Sequence, residues 1–62
     1  MRWREEKGGP VLRAVLSGAL RARVNWTGTM WRGTVWTRAG TSSATWNTMK
    51  EAMSWCEGEL YP

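Results

Sequence analysis

Between residues 11 and 26 two sets of side chains alternate with period two, and this alternation limits the fold more than any other feature of the chain. Leu12, Ala14 and Leu16 alternate with Val11, Arg13 and Val15. After Ser17-Gly18-Ala19, the residues Leu20, Ala22, Val24 and Trp26 alternate with Arg21, Arg23 and Asn25. Successive side chains of a strand point to opposite faces, so the spacing describes two half-buried strands. A hairpin with a three-residue loop sets Leu16 opposite Leu20, Ala14 opposite Ala22 and Leu12 opposite Val24, gathering the clean apolar residues on one side; a two-residue loop would set Leu16 against Ala19 and Leu12 against Arg23. A first helix is the rival reading, because Leu12, Val15, Leu16, Ala19 and Leu20 also fit helical spacing behind Pro10. Gly18 in its middle and the β-branched and aromatic residues that follow oppose it.

A turn at Thr27-Gly28 leads to a third strand over residues 30–37. With two residues in that turn, Val24 pairs with Trp31, Ala22 with Gly33 and Leu20 with Val35, and Gly33 leaves space over Ala22. Residues 39–44, with Gly40 and Thr41-Ser42-Ser43, read as a loop. A helix then opens at Thr45. Trp46, Met49, Ala52, Met53 and Cys56 follow helical spacing on one core-facing stripe, Thr48 and Glu51 offer an alternative capping box, and Gly58 supplies a stop. Residues 1–9 carry Arg2, Arg4, Glu5, Glu6 and Lys7 ahead of Gly8-Gly9-Pro10 and read as a mobile lead-in. The expected fold is therefore α+β: a three-stranded antiparallel meander covered on one face by a single C-terminal helix, in one domain over residues 10–62. Trp26, Trp31 and Trp46 serve as core. Trp36, Trp55 and Trp3 are left over, Trp55 as a flank of the core or an exposed anchor, and Trp3 as a side chain that packs back or touches a partner.

With 62 residues, the chain forms at most one domain and buries only about 60% of the surface of its unfolded form. It has no His and no Asp, so the usual base for a Ser, Thr or Cys nucleophile is missing, and an enzyme is not expected. One Cys without His cannot furnish a zinc site, and the glutamates lack calcium-loop spacing, so neither metal nor other cofactor is expected. Lone Cys56 forbids an internal disulfide and fits a reducing compartment. No apolar run reaches the eighteen or so residues of a membrane span, and the stretch over residues 11–20 is too interrupted for a signal peptide. The expected location is the cytoplasm.

The formal net charge is +4, and it is unevenly placed. Residues 10–44 hold five arginines and no acid, whereas residues 45–62 hold Lys50 against Glu51, Glu57 and Glu59. The sheet face opposite the apolar one collects Arg13, Arg21, Arg23, Asn25, Met30, Arg32, Thr34 and Trp36, with Val11 and Val15 among them. A merely solvated face needs soluble residues, and arginine stems cover apolar neighbours, which accounts for part of this set. Mixing arginine with tryptophan and exposed apolar residues is instead typical of contact surfaces. The candidate partner-binding residues are Arg13, Arg21, Arg23, Arg32, Trp36, Arg38 and Trp55.

The run Met30-Trp31-Arg32-Gly33-Thr34-Val35-Trp36, a Gly/Ser/Thr loop and a short helix with Thr48-Met49-Lys50-Glu51-Ala52-Met53-Ser54-Trp55-Cys56-Glu57 resemble small proteins of bacteriophages and mobile elements in which a three-stranded sheet is covered by one helix. Several anti-CRISPR and other anti-defence proteins have that build. The resemblance implies a non-catalytic inhibitor that docks on a host protein complex inside the bacterial cell. Such inhibitors are often acidic, so a charge of +4 departs from that tendency: it counts against mimicry of nucleic acid and permits docking on an acidic host surface. Two other readings use the same residues. The arginines could hold nucleic acid directly, with phosphate contacts and an aromatic for stacking. The exposed edges of a small sheet could also pair with a second copy.

Overall fold

The computed structural model describes residues 3–13 and 18–61. They form β1 (Arg4–Glu6), β2 (Gly9–Arg13), β3 (Leu20–Trp26), β4 (Trp31–Thr37), β5 (Gly40–Trp46) and one helix, α1 (Met49–Leu60). The strands build a single antiparallel sheet in the order β1-β2-β3-β4-β5, so each pairs with its neighbour in sequence. α1 packs on β3, β4 and β5, most extensively on β4. The α+β class and the single covering helix agree with expectation, but the sheet has five strands rather than three.

Both extra strands come from segments whose composition disguised them. Arg4–Glu6 lies in the supposed lead-in, where charge masks the strand; Lys7-Gly8 turns the chain back so that Arg4 pairs with Val11 and Glu6 with Gly9. Gly9 has a φ of 127°, and a Cβ there would collide with the Val24 carbonyl, so this position admits only glycine. Trp3 follows the hairpin back and packs against the core. Gly40–Trp46 lies where the Thr/Ser run suggested a loop. All seven of its residues pair with β4, from Thr37–Gly40 to Trp31–Trp46, around a tight turn in which the Thr37 hydroxyl accepts from the Ala39 N–H at 3.2 Å and donates to the Gly40 carbonyl at 3.2 Å. An edge strand needs only one apolar row, and here Ala44 and Trp46 supply it.

The inner registers differ from expectation by two residues. β3 and β4 are joined by residues 27–30 rather than by a two-residue turn: the Thr27 hydroxyl accepts from the N–H of Met30 at 3.1 Å, and the Thr27 N–H donates to the Met30 carbonyl at 2.8 Å. Ala22 therefore pairs with Val35, Val24 with Gly33 and Trp26 with Trp31, and Met30 belongs to the turn instead of the strand. On the other side Leu12 pairs with Ala22 rather than Val24, with a register shift between Leu12 and Arg13. Ala14, Val15, Leu16 and Ser17, which the expected hairpin also used, lie outside the described residues. A slip of two residues keeps every side chain on its face, so the apolar pattern could not distinguish these registers.

α1 begins at Met49, not Thr45, which returns Trp46 to the sheet. Thr48 is the N-cap: its hydroxyl accepts from the Glu51 N–H at 3.1 Å and donates to the Glu51 carboxylate at 3.0 Å. The helix continues through Gly58 to Leu60, because Leu60 packs against the core and that burial outweighs the cost of a helical glycine, about 1 kcal/mol. The buried cluster consists of Leu12, Ala22, Val24, Val35, Ala52 and Cys56, surrounded by Trp3, Trp31, Trp46, Met53, Trp55 and Leu60. Trp3 and Trp55 thus join the core that was assigned to other tryptophans, while Trp26 is 52% exposed and stands edge-on to Trp31 at 5.3 Å.

Candidate functional site

Cross-strand partners share a face, so the pairings assign each side chain to one side of the sheet. The side without the helix carries Arg4 and Glu6 from β1, Val11 from β2, Arg21, Arg23 and Asn25 from β3, Arg32, Thr34 and Trp36 from β4, and Thr41, Ser43 and Thr45 from β5, and Arg13, past the register shift in β2, is brought to it by its ion pair with Glu6. One row across the five strands reads Arg4, Val11, Arg23, Thr34, Ser43; the next reads Asn25, Arg32, Thr45 over β3 to β5. Five arginines on this open face meet one carboxylate, Glu6. The exposed side of α1 presents Lys50 against Glu51, Glu57 and Glu59, so the two layers carry opposite balances of charge.

Glu6 is already engaged. Arg13 donates to both of its carboxylate oxygens, from Nε at 2.9 Å and from a terminal nitrogen at 3.0 Å, while its other terminal nitrogen donates to the Gly18 carbonyl at 2.9 Å. The bidentate bond holds the Glu6 carboxyl below its ordinary pKa and raises that of Arg13. Glu6 pairs with Gly9, and Val11 lies midway between Gly9 and Arg13, so the ion pair crosses the face diagonally over Val11. Val11 is 0% exposed although no helix covers this side, and Arg4 and Arg23 are its cross-strand partners.

The candidate residues are thus divided. Arg21, Arg23, Arg32 and Trp36 share the open face; the register sets Arg21 beside Trp36, one position beyond the Ala22–Val35 pair. Arg13 shares it too, committed to Glu6. Arg38 stands exposed in the turn between β4 and β5, at the end of the face rather than on it. Trp55 belongs to the other layer: it lies 6.4 Å from Trp46, and its ring would be 3.2 Å from a Cβ on Gly33. Arg4 was missed because its strand was read as a lead-in, Thr41 and Ser43 because theirs was read as a loop, and Thr45 because it was read as the start of the helix; the signal available for both strands was the glycine-bounded turn beside each. Of the apolar residues expected to mix with the arginines, Val11 is buried, Met30 sits in a turn and Val15 lies outside the described residues, which leaves half-buried Trp36.

Arg23 is half-buried, and its Nε has no hydrogen-bond partner among the described residues. Cys56 is buried on the helix side, and its thiol points to the Thr34 carbonyl at 4.0 Å; burial pushes its pKa up to about 11, which keeps it protonated and unreactive. No group of three or more His, Cys, Asp or Glu capable of holding a metal occurs among the described residues. Nor is any helix among them long and apolar enough to cross a membrane. Comparison with family models, with curated proteins and with solved structures gives no match.

Proposed function

We propose that the chain is a non-enzymatic binding protein whose open sheet face holds the phosphate backbone of a nucleic acid. The carrying observation is the content of that face: five arginines, four of which form no ion pair with a carboxylate among the described residues, interleaved with Asn25, Thr34, Ser43 and Thr45. Arg, Asn, Ser and Thr are the side chains that contact phosphates and base edges. A duplex fits better than a single strand, because stacking platforms use several aromatics and this face offers Trp36 alone.

The test is titration of labelled duplex and single-stranded oligonucleotides at increasing salt. If Arg4, Arg21, Arg23 and Arg32 each neutralise one phosphate, log K falls with log salt at a slope of about −3.6 for a duplex, a loss of roughly 150-fold between about 50 and 200 mM. Binding that ignores salt, or no binding at about 50 mM, overturns the reading.

A second reading keeps the same arginines and replaces the ligand with an acidic host protein, as in the phage-type inhibitors the sequence resembles. Trp36 favours it, since tryptophan beside arginine is characteristic of interface hot spots. Trp36→Ala separates the two: it should cripple a protein interface and leave duplex affinity within a few-fold, whereas Arg21→Glu with Arg23→Glu abolishes either.

A further inference from the structure

We infer that β5 is a self-pairing edge, through which two copies of the chain join antiparallel strands into one continuous ten-stranded sheet. The sheet has two edges, and they are built differently. β1 is three residues long and reads Arg-Glu-Glu, a short charged edge of the kind that resists pairing. β5 is seven residues long, pairs with β4 without a bulge, and alone among the described strands contains no charged residue; it contains no proline either. Five of its seven residues are exposed, and none has a neighbour on the far side among the described residues.

The occupant is a second copy because the strand is complementary to itself. With the two-fold axis at Ser43, Thr41 of one chain faces Thr45 of the other on the open side, and Ser42 faces Ala44 on the helix side. Gly40 then comes opposite Trp46, which places an indole beside the residue that lacks a side chain. Threonine pairs are favourable cross-strand neighbours, and no two charges are brought opposite each other. The layers also fit. α1 packs most on β4, so the two helices are about 14 Å apart, three inter-strand spacings, which exceeds the 8–10 Å of packed helices and leaves both room. A two-fold perpendicular to the sheet keeps both open faces on one side. The dimer therefore presents one basic surface twice as wide, whatever that surface binds.

Sedimentation equilibrium of the full chain from micromolar to millimolar concentration tests this. The mass should rise from 7.1 kDa to twice that value. Ser43→Lys and Ser43→Glu should each stay monomeric where the unmodified chain is dimeric, because like charges meet on the axis, and mixing the two should restore the doubled mass. Hydrogen exchange on the unmodified chain supplies a readout that no folding defect of a variant can affect: amides of β5 gain protection as concentration rises, and those of β1 do not. A monomer at every concentration, a dimer indifferent to both substitutions, or β5 exchange independent of concentration overturns the inference.

Discussion

Gly33→Ala puts the close fit of the helix on the sheet to the test. Gly33 lies in β4 beneath α1, and a Cβ there would meet the Cys56 sulfur at 2.9 Å, the Ala52 carbonyl oxygen at 3.2 Å and the Trp55 ring at 3.2 Å. Two of these neighbours are hard to move, since one belongs to helix backbone and the other to an indole packed against Trp46. The helix must therefore rise by a few tenths of an ångström along its contact with the sheet. Overpacking of this kind costs about 1–3 kcal/mol. Lower chain entropy in the unfolded state returns about 0.4–1 kcal/mol, which leaves a net loss of roughly 1–2 kcal/mol. A chain of this length has a total stability of only about 3–9 kcal/mol, so the loss is readily measured. Urea unfolding followed by tryptophan fluorescence reads it directly, and the thermal midpoint should fall by roughly 5–15 °C. Gly58→Ala is the internal control: nothing lies within 4 Å of a Cβ there, so it should gain roughly 0.5–1 kcal/mol. If Gly33→Ala is neutral or stabilising, the helix does not sit on β4 at this distance, and the placement of Trp55 in the helix layer fails with it.

Three further outcomes follow from individual groups. The Glu6 carboxyl has a lowered pKa in the folded chain, so its contribution to stability is present at neutral pH and disappears as the pH falls through that value, below the ordinary 4.5; Glu6→Gln should show a flatter decline of the urea midpoint there, and parallel curves would refute the ion pair. Cys56, with its pKa pushed to about 11 by burial, should react with a disulfide reagent at mildly alkaline pH only as fast as the chain unfolds; immediate labelling of the folded protein would contradict its burial. Arg23→Thr removes a buried Nε that has no partner among the described residues and installs a good strand former, so the urea midpoint should hold or rise while the salt slope of duplex binding shrinks by about 0.9; a fall in stability with the slope intact would show that Arg23 serves the fold.

How far the fold was legible in the sequence depends on which residues carried the signal. Period two over β3 and β4 was strong because Ala22, Val24 and Val35 are buried and their neighbours are not, and the helix announced itself by spacing, although its start was placed at Thr45 with Thr48–Glu51 only as the alternative cap. Register was not legible: side-chain alternation is blind to a two-residue slip, and the choice was made by the Thr27 hydroxyl bonds and by the close fit of Gly33 under α1. β1 and β5, marked only by the glycine turn beside each, were hidden for a different reason. Each is an edge strand stabilised by its neighbour, and neither Arg-Glu-Glu nor Gly-Thr-Ser-Ser carries a hydrophobic pattern of its own. The arginine face was readable because alternation survives the slips, so Arg21, Arg23 and Arg32 fell on the correct side despite wrong partners. Trp55 was not resolvable, since off-stripe position on a helix does not say whether a wide sheet reaches far enough to cover it.

The spacing of the charges on that face separates a ligand surface from a merely soluble one. In the pairings observed, no arginine has another arginine as its direct partner: Arg4 pairs with Val11, Arg23 with Val11 and Thr34, Arg32 with Asn25 and Thr45, and Arg13 with Leu20. Directly opposed like charges would destabilise the sheet, and the staggering moves them to diagonal distances of about 7–8 Å. A surface selected for solubility would alternate acids with these arginines and cancel their field. Here the interleaved residues are neutral, so the field adds, and the free chain bears the self-repulsion. Two measurements in the same buffers should consequently change in opposite directions. Added salt screens the repulsion and raises the urea midpoint of the free chain, while it weakens duplex binding because releasing counterions into a saltier solution gains less entropy. A duplex at low salt should raise the midpoint in its turn, since whatever binds only the folded chain stabilises it. If salt leaves the free chain unchanged or destabilises it, the arginines do not act as one field, and their gathering on a single face would owe more to strand alternation than to a polyanionic partner.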